Sequence, residues 1–150
     1  MGEYTALAFK AIVKPEFRQF EDAYLYGDWA RQSDPEFKKF GNVSRSGCIP
    51  NGRSCYFADF CRFEEMPAIE QAHPNYNKDT GEWEVFCSLK NYDQTIEEFF
   101  KFIPYFIEKA DIIYTKFNGE APKYRYALQD GEVKFIKAEE IEDDNDFYYY

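Results

Sequence analysis

Gly81-Glu-Trp-Glu-Val-Phe-Cys-Ser-Leu-Lys-Asn-Tyr-Asp-Gln-Thr-Ile-Glu-Glu-Phe-Phe-Lys-Phe-Ile-Pro-Tyr-Phe-Ile-Glu108 changes its apolar period from two to 3.6 within thirty residues. Trp83, Val85, Cys87 and Leu89 alternate with Glu84, Phe86, Ser88 and Lys90, the pattern of a strand over 82–90. Ile96, Phe99, Phe100, Ile103 and Ile107 then recur at helical spacing, so a helix over 92–108 follows. Asn91 stands at the N-cap position and Gln94 three residues on completes a capping-box pattern. Pro104 removes an amide from the interior of that helix and predicts a bend there.

Upstream, Thr5-Ala-Leu-Ala-Phe-Lys-Ala-Ile-Val-Lys14 reads as a first strand, with Leu7, Phe9 and Val13 on one face and Lys10 and Lys14 on the other. Pro15 suits a first helical turn, Phe17, Phe20, Ala23 and Tyr24 make a stripe, and Gly27 is a stop, giving a helix over 15–26. Residues 28–52 are less periodic, with a short helix expected over 34–40. Ser54–Phe63 has the aromatic content of a strand, and Asp79-Thr-Gly81 turns the chain into the 82–90 strand. Downstream come strands at 112–117 and 123–128, and Asp130-Gly131 signals a tight hairpin that sets Leu128 near Val133 and Tyr126 near Phe135.

The order is βαββαβ followed by a hairpin. It predicts an α+β domain of the ferredoxin-like, split βαβ type, its antiparallel sheet widened by a C-terminal β-hairpin. One domain is expected over 1–137, followed by an acidic and aromatic tail over 138–150.

The chain has 150 residues, 21% of them aromatic and 31% charged, which fits a folded domain with a charged surface. No apolar run is long enough to span a bilayer, and Met1-Gly-Glu-Tyr-Thr lacks the basic start of a signal peptide. A cytoplasmic location without membrane association is expected. The net charge is −10. Residues 1–50 carry seven basic and seven acidic side chains, 51–100 four and ten, and 101–150 seven and eleven. The acidic excess lies in the second half, which disfavours direct nucleic-acid binding and favours a protein partner with a basic surface.

Chemistry-bearing motifs are sparse. Cys48, Cys55 and Cys61 are spaced by seven and six, Cys87 lies far downstream, and His73 is the single histidine, so the paired spacing of a zinc site is missing. No base accompanies a nucleophile in a local signature. Gly47-Cys-Ile-Pro-Asn-Gly52 lacks the Gly-Lys-Ser/Thr ending of a phosphate loop. Neither catalytic residues, nor metal ligands, nor a cofactor are expected.

Ala138-Glu-Glu-Ile-Glu-Asp-Asp-Asn-Asp146 and Phe147-Tyr-Tyr-Tyr150 form the most unusual local composition. Six acids in nine residues oppose compaction, whereas four aromatic side chains are costly to leave in water. Glu139, Glu140, Glu142, Asp143, Asp144, Asp146, Phe147, Tyr148, Tyr149 and Tyr150 are therefore the candidate partner-binding residues, the acids steering and the rings anchoring. The alternative is that the rings dock back on the domain.

Met1-Gly-Glu-Tyr-Thr5, Ser54-Cys-Tyr-Phe57, Leu89-Lys-Asn-Tyr-Asp93, Ile96-Glu-Glu-Phe99, Pro104-Tyr105 and Gly131-Glu-Val-Lys-Phe135 resemble small uncharacterised proteins encoded by bacteriophages and prophage-bearing bacteria. The resemblance touches both ends of the domain, fades over 28–52 and 64–80, and stops before 138–150. It implies a phage-related origin, hence the host cytoplasm as the place of action, and carries no site residues with it. Small acidic phage proteins include inhibitors of host nucleic-acid enzymes and defence effectors, anti-CRISPR proteins among them. The resulting expectation is a non-enzymatic inhibitor that acts through acidic surfaces. A structural or self-associating interaction domain is the alternative, and a small enzyme comes third.

Overall fold

The computed structural model describes residues 4–52, 74–117 and 122–139. The protein is α+β, with a six-stranded antiparallel sheet and a few helices. The strands are β1 (Thr5–Val13), β2 (Asn75–Tyr76), β3 (Glu82–Leu89), β4 (Ile107–Phe117), β5 (Lys123–Gln129) and β6 (Glu132–Glu139), in the spatial order β2-β3-β1-β4-β5-β6. Helices α1 (Glu21–Tyr26), α2 (Pro35–Gly41), the four-residue α3 (Cys48–Asn51) and α4 (Thr95–Phe106) complete it. The strand expected over 54–63 lies outside the described residues, and the strand beside β3 is the two-residue β2, in register Asn75↔Glu84 and Tyr76↔Trp83.

Strand β1 is central, paired with β3 on one side (Leu7↔Cys87, Phe9↔Val85) and with β4 on the other (Leu7↔Thr115, Phe9↔Ile113). The period-two pattern does its expected work on one face: Leu7, Phe9, Val13, Trp83, Val85, Cys87 and Leu89 all lie in the main core. Helices α1, α2 and α4 supply Tyr24, Phe37, Phe40, Ile96, Phe99, Phe102, Ile103 and Phe106 to the same core. Two indoles sit at its centre with their polar edges satisfied, Trp83 Nε1 donating to Tyr24 O at 2.9 Å and Trp29 Nε1 to Ile49 O at 2.8 Å.

The expected first helix is broken. Pro15–Phe17 forms a 3-10 turn, and α1 starts only at Glu21, because Phe20 leaves the helical region at φ −88° and ψ 51°. Two carbonyls at this break accept side-chain hydroxyls, Phe17 O from Tyr24 OH one element on and Arg18 O from Tyr76 OH far along the chain, each at 2.8 Å. Phe17 and Phe20 both pack on Phe37, with ring centroids at 5.9 and 4.7 Å.

The second expected helix is trimmed at both ends. It begins at Thr95, with Gln94 in the left-handed region at φ 60° and making no side-chain cap. Asn91 caps from further back: its Oδ1 accepts from Ile96 N at 2.8 Å while its Nδ2 donates to Glu97 Oε1 at 2.9 Å. At the far end the chain passes straight from helix to strand, so β4 starts at Ile107, not at 112. Pro104 lies in the last turn, where its missing N–H removes the helical bond to Phe100 O, and α4 ends two residues on, at Phe106. The carbonyls of Pro104 and Tyr105 accept Lys14 Nζ, each at 3.2 Å, and Phe106 O accepts Lys14 N at 2.9 Å. One basic residue thus closes a helix C-terminus and ties it to the end of β1.

The short helix expected over 34–40 is α2, capped by Asp34 Oδ1, which accepts from Glu36 N and Phe37 N. Gly81, at φ 79°, closes the turn that leads into β3, its N–H donating to Asn77 O at 2.7 Å. The sequence-based reading also placed the hairpin correctly: Leu128 pairs with Val133 and Tyr126 with Phe135, and β5 pairs with β4, so the hairpin widens the sheet. No helix of the described residues is long and apolar enough to cross a membrane.

Candidate partner-binding surface

The hairpin turns on two residues with positive φ, Asp130 at 54° and Gly131 at 77°, as a two-residue loop with a right-handed strand twist requires. Because side chains alternate along each strand, β5 and β6 present two chemically distinct faces. Tyr124, Tyr126, Leu128, Val133 and Phe135 share the face that carries the helices; Lys123, Arg125, Lys134, Lys137 and Glu139 occupy the other. A register shift between Arg125 and Tyr126 gives β6 an extra residue, Ile136, between the partners of those two positions.

On the helix side, α4 reaches only the near edge of the hairpin. Phe100 packs on Tyr126 with centroids 4.9 Å apart, and Tyr126 meets Phe135 at 5.8 Å. Tyr124 meets Phe135 at 5.8 Å in turn. Beyond Phe100 the aromatic row emerges into solvent: Phe135 is 57% exposed, Phe117 46%, Ile136 42% and Tyr124 36%. In the same chain Phe9, Phe99 and Phe106 are at most 1% exposed, and the other exposed large side chains of the described residues, Tyr26, Tyr92 and Tyr105, each carry a hydroxyl. A shallow groove lined by Phe100, Lys101, Pro104, Gly131, Glu132 and Val133 runs between α4 and the hairpin tip.

The opposite face is basic at this end of the sheet. Lys123 Nζ stands 4.8 Å from the Tyr114 ring centroid and Arg125 Cζ 5.6 Å from it. Arg125 also donates to Tyr114 OH at 3.3 Å and to Asp111 O at 3.4 Å. Lys116, on the same face of β4, is 1% exposed. Nearer the centre of the sheet the same face holds a second buried cluster, Tyr4, Ala6, Ala8, Phe86 and Tyr114. Past it, Lys10 pairs with Glu84 at 3.8 Å.

Of the residues that the sequence singled out for partner binding, Glu139 is the one among the described residues. It ends β6, with its carboxylate 3.5 Å from Lys123 Nζ and 3.5 Å from Lys137 Nζ. Strand β6 therefore runs through Ala138 and Glu139, which the sequence reading assigned to the tail. Glu140, Glu142, Asp143, Asp144, Asp146 and Phe147–Tyr150 lie outside the described residues. The aromatic row and the basic strip were not singled out from the sequence. Their signal is the alternation in Lys123-Tyr-Arg-Tyr126, which announces a strand with one cationic and one aromatic face.

The remaining reactive groups lie apart from this surface. Cys87 is fully buried in β3, and burial pushes its thiol pKa up, away from the reactive thiolate. Cys48 is half-buried at the start of α3, while Cys55, Cys61 and His73 lie outside the described residues. Among the described residues, no group of three His, Cys, Asp or Glu side chains could hold a metal ion. Tyr105 OH donates to Asp34 Oδ2 at 2.8 Å, and that bond raises the tyrosine pKa. Tyr76 is pushed up to about 12, chiefly by burial.

Compared with known proteins, the chain matches no family model, no curated protein and no solved structure.

Proposed function

We propose that this protein acts by binding rather than by catalysis, and that it engages a protein partner through the helix side of the β5–β6 hairpin. The observation that carries this reading is the exposed row Phe117, Tyr124, Phe135 and Ile136, which holds all the exposed large apolar side chains without a hydroxyl among the described residues. Exposed contiguous apolar surface of this kind marks interaction sites, and aromatic anchors dominate interface energetics. The acids that begin at Glu139 and continue through Asp146 stand immediately after the hairpin in sequence, where they would steer a basic partner toward the anchors.

The partner class is a protein with a basic surface, such as a nucleic-acid-binding enzyme or defence effector in a host cytoplasm, and the action is inhibition by occupying that surface. The resemblance to small phage proteins and the acidic second half support it. The antiparallel order β2-β3-β1-β4, with α4 joining β3 to β4, supports reading this part of the fold as a split βαβ, ferredoxin-like unit. Self-association through the sheet edge is the second reading. The extra residue Ile136 and the charges Lys134 and Lys137 on β6 weigh against it, because bulges and lysines blunt edge pairing.

Affinity capture with the wild-type chain and with Phe135→Asp tests the proposal. The side chain of Phe135 is exposed, so its replacement should shift stability by no more than about 0.5 kcal/mol. Partner capture should fall by more than roughly thirtyfold, the loss of an anchor worth about 2 kcal/mol. The association rate of the wild type should drop as salt rises while dissociation stays nearly constant. Equal capture of one partner by both proteins would sink the reading, and a stable homodimer of the wild type lost in Phe135→Asp would favour the alternative.

A further inference from the structure

Helix α3 packs on β3, and each element carries a free cysteine, Cys48 at the start of α3 and Cys87 in β3. Cys87 belongs to the main core, and Cys48 is half-buried against that same core. One amide spans the two residues. Gly52 N–H donates to Cys48 O at 2.6 Å, and it also makes a backbone hydrogen bond to the Cys87 sulfur that favours the ionised form. Two acceptors of one N–H are close neighbours, since a hydrogen bond is only about 3 Å long to oxygen and somewhat longer to sulfur. The missing side chain at Gly52 permits this approach: a Cβ there would lie 2.3 Å from Ser88 O, the carbonyl next along β3 from Cys87, and 2.9 Å from Cys48 O. Neighbours on the other side hold α3 in place, with Trp29 Nε1 on Ile49 O at 2.8 Å and Asn51 Nδ2 on Leu25 O. After burial, charge at Cys48 is the largest influence that raises the Cys87 thiol pKa, as expected of two sulfurs that sense each other through a dry core.

We propose that Cys48 and Cys87 form an oxidation-sensitive dithiol, which hydrogen peroxide converts to a disulfide that fastens α3 to β3. Exposure sets the order of events. Cys48 is the sulfur that meets solvent, so its thiolate attacks the peroxide, the O–O bond breaks, and Cys48 keeps one oxygen as a sulfenic acid while the other leaves as hydroxide and is protonated to water. The Cys87 sulfur then displaces the hydroxyl from Cys48, the S–S bond forms, and a second water departs with the Cys87 proton. Two thiols and one peroxide thus give one disulfide and two waters.

Burial gives the two cysteines different roles. Cys87 does not meet the oxidant itself, and its raised thiol pKa keeps it reduced until the Cys48 sulfenic acid stands beside it. The bond closes residues 48–87 into a loop and pins the segment that leads into α3 to the sheet. This inference does not rest on the partner-binding reading.

Treating the reduced full chain with hydrogen peroxide, blocking the remaining thiols with iodoacetamide in denaturant and mapping peptides by mass spectrometry without reduction tests it. The expected product is a peptide pair joined through Cys48 and Cys87. The oxidised protein should melt roughly 5 to 15 °C above the reduced one, the span expected on closing a loop of this length. In Cys48→Ser, a change at a half-buried position, Cys87 should remain a thiol at the same peroxide dose and the melting shift should vanish. In Cys87→Ala, dimedone should trap a sulfenic acid on Cys48; the Cys48→Ser result stands whether or not this second variant folds. Products that join Cys48 to Cys55 or Cys61, a wild-type Cys48 that stays reduced or runs on to sulfinic acid, or equal oxidation of Cys87 in Cys48→Ser would each overturn the proposal.

Discussion

Phe99→Ala tests the architecture at its most committed point. Phe99 is fully buried and its ring lies within 5.6 to 6.5 Å, centroid to centroid, of Phe40, Phe9, Trp29, Trp83 and Phe106. It therefore touches the central strand, β3, α2 and its own helix at once. Rigid rings on every side collapse poorly into a void, which puts the loss at about 3 to 5 kcal/mol. For a domain of this length, each kcal/mol moves the melting temperature by about 2 to 4 °C, so a fall of roughly 6 to 20 °C is expected. The neighbouring Phe100→Ala is the internal control. Phe100 is half-buried and, among the described residues, packs its ring on the single hairpin ring Tyr126, so it should cost only about 1 to 2 kcal/mol. Chemical denaturation of both variants with a common m-value measures the difference. A loss below about 1 kcal/mol for Phe99→Ala, or one no larger than that for Phe100→Ala, would mean that α4 does not present this face to the sheet.

Three further outcomes follow from local geometry. Gly81→Ala places a Cβ 2.6 Å from Val13 O and from Arg18 Nε at φ 79°, so it should destabilise by about 1 to 3 kcal/mol in a denaturant melt. Asn91→Ala removes the acceptor for Ile96 N and should cost about 1 kcal/mol, whereas Gln94→Ala, which removes no cap, should not match it. The folded pKa of Tyr76 is raised from 10.0 to about 12. The unfolded chain thus ionises first, and the stabilisation is complete below pH 10.0 and lost as the pH climbs to about 12. Melting temperatures recorded across that window should fall for the wild type and fall less steeply for Tyr76→Phe.

The elements that could be read from the sequence are those whose signal is local. The alternation in β1 and β3, the Asp34 cap of α2 and the Asp130-Gly131 turn each depend on a few neighbouring residues, and the structure has all of them. The hairpin register followed as well, since a two-residue loop leaves no freedom in which residues face each other. The break at Phe20 was not legible, because the hydroxyls that satisfy the interrupted carbonyls come from Tyr24 and from Tyr76, 58 residues beyond Arg18. The early start of β4 was hidden for a similar reason. Ile107 continues the helical spacing of Ile103, yet pairing with Val13 draws it into the sheet.

The sequence by itself determined that strands and helices alternate, where the tight turns fall, and that an acidic, aromatic segment follows the last strand. Those properties are written in neighbouring side chains and in the φ preferences of single residues. Only the tertiary structure decided which strands adjoin, and with that which surfaces exist. Lys116, Lys123, Arg125 and Lys137 are a basic strip only because β4, β5 and β6 lie side by side in register. The row Phe117, Tyr124 and Phe135 is exposed only because α4 ends its coverage at Phe100. Surface chemistry is a sum over strands that are distant in sequence, and pairing between them is decided by packing of the whole sheet.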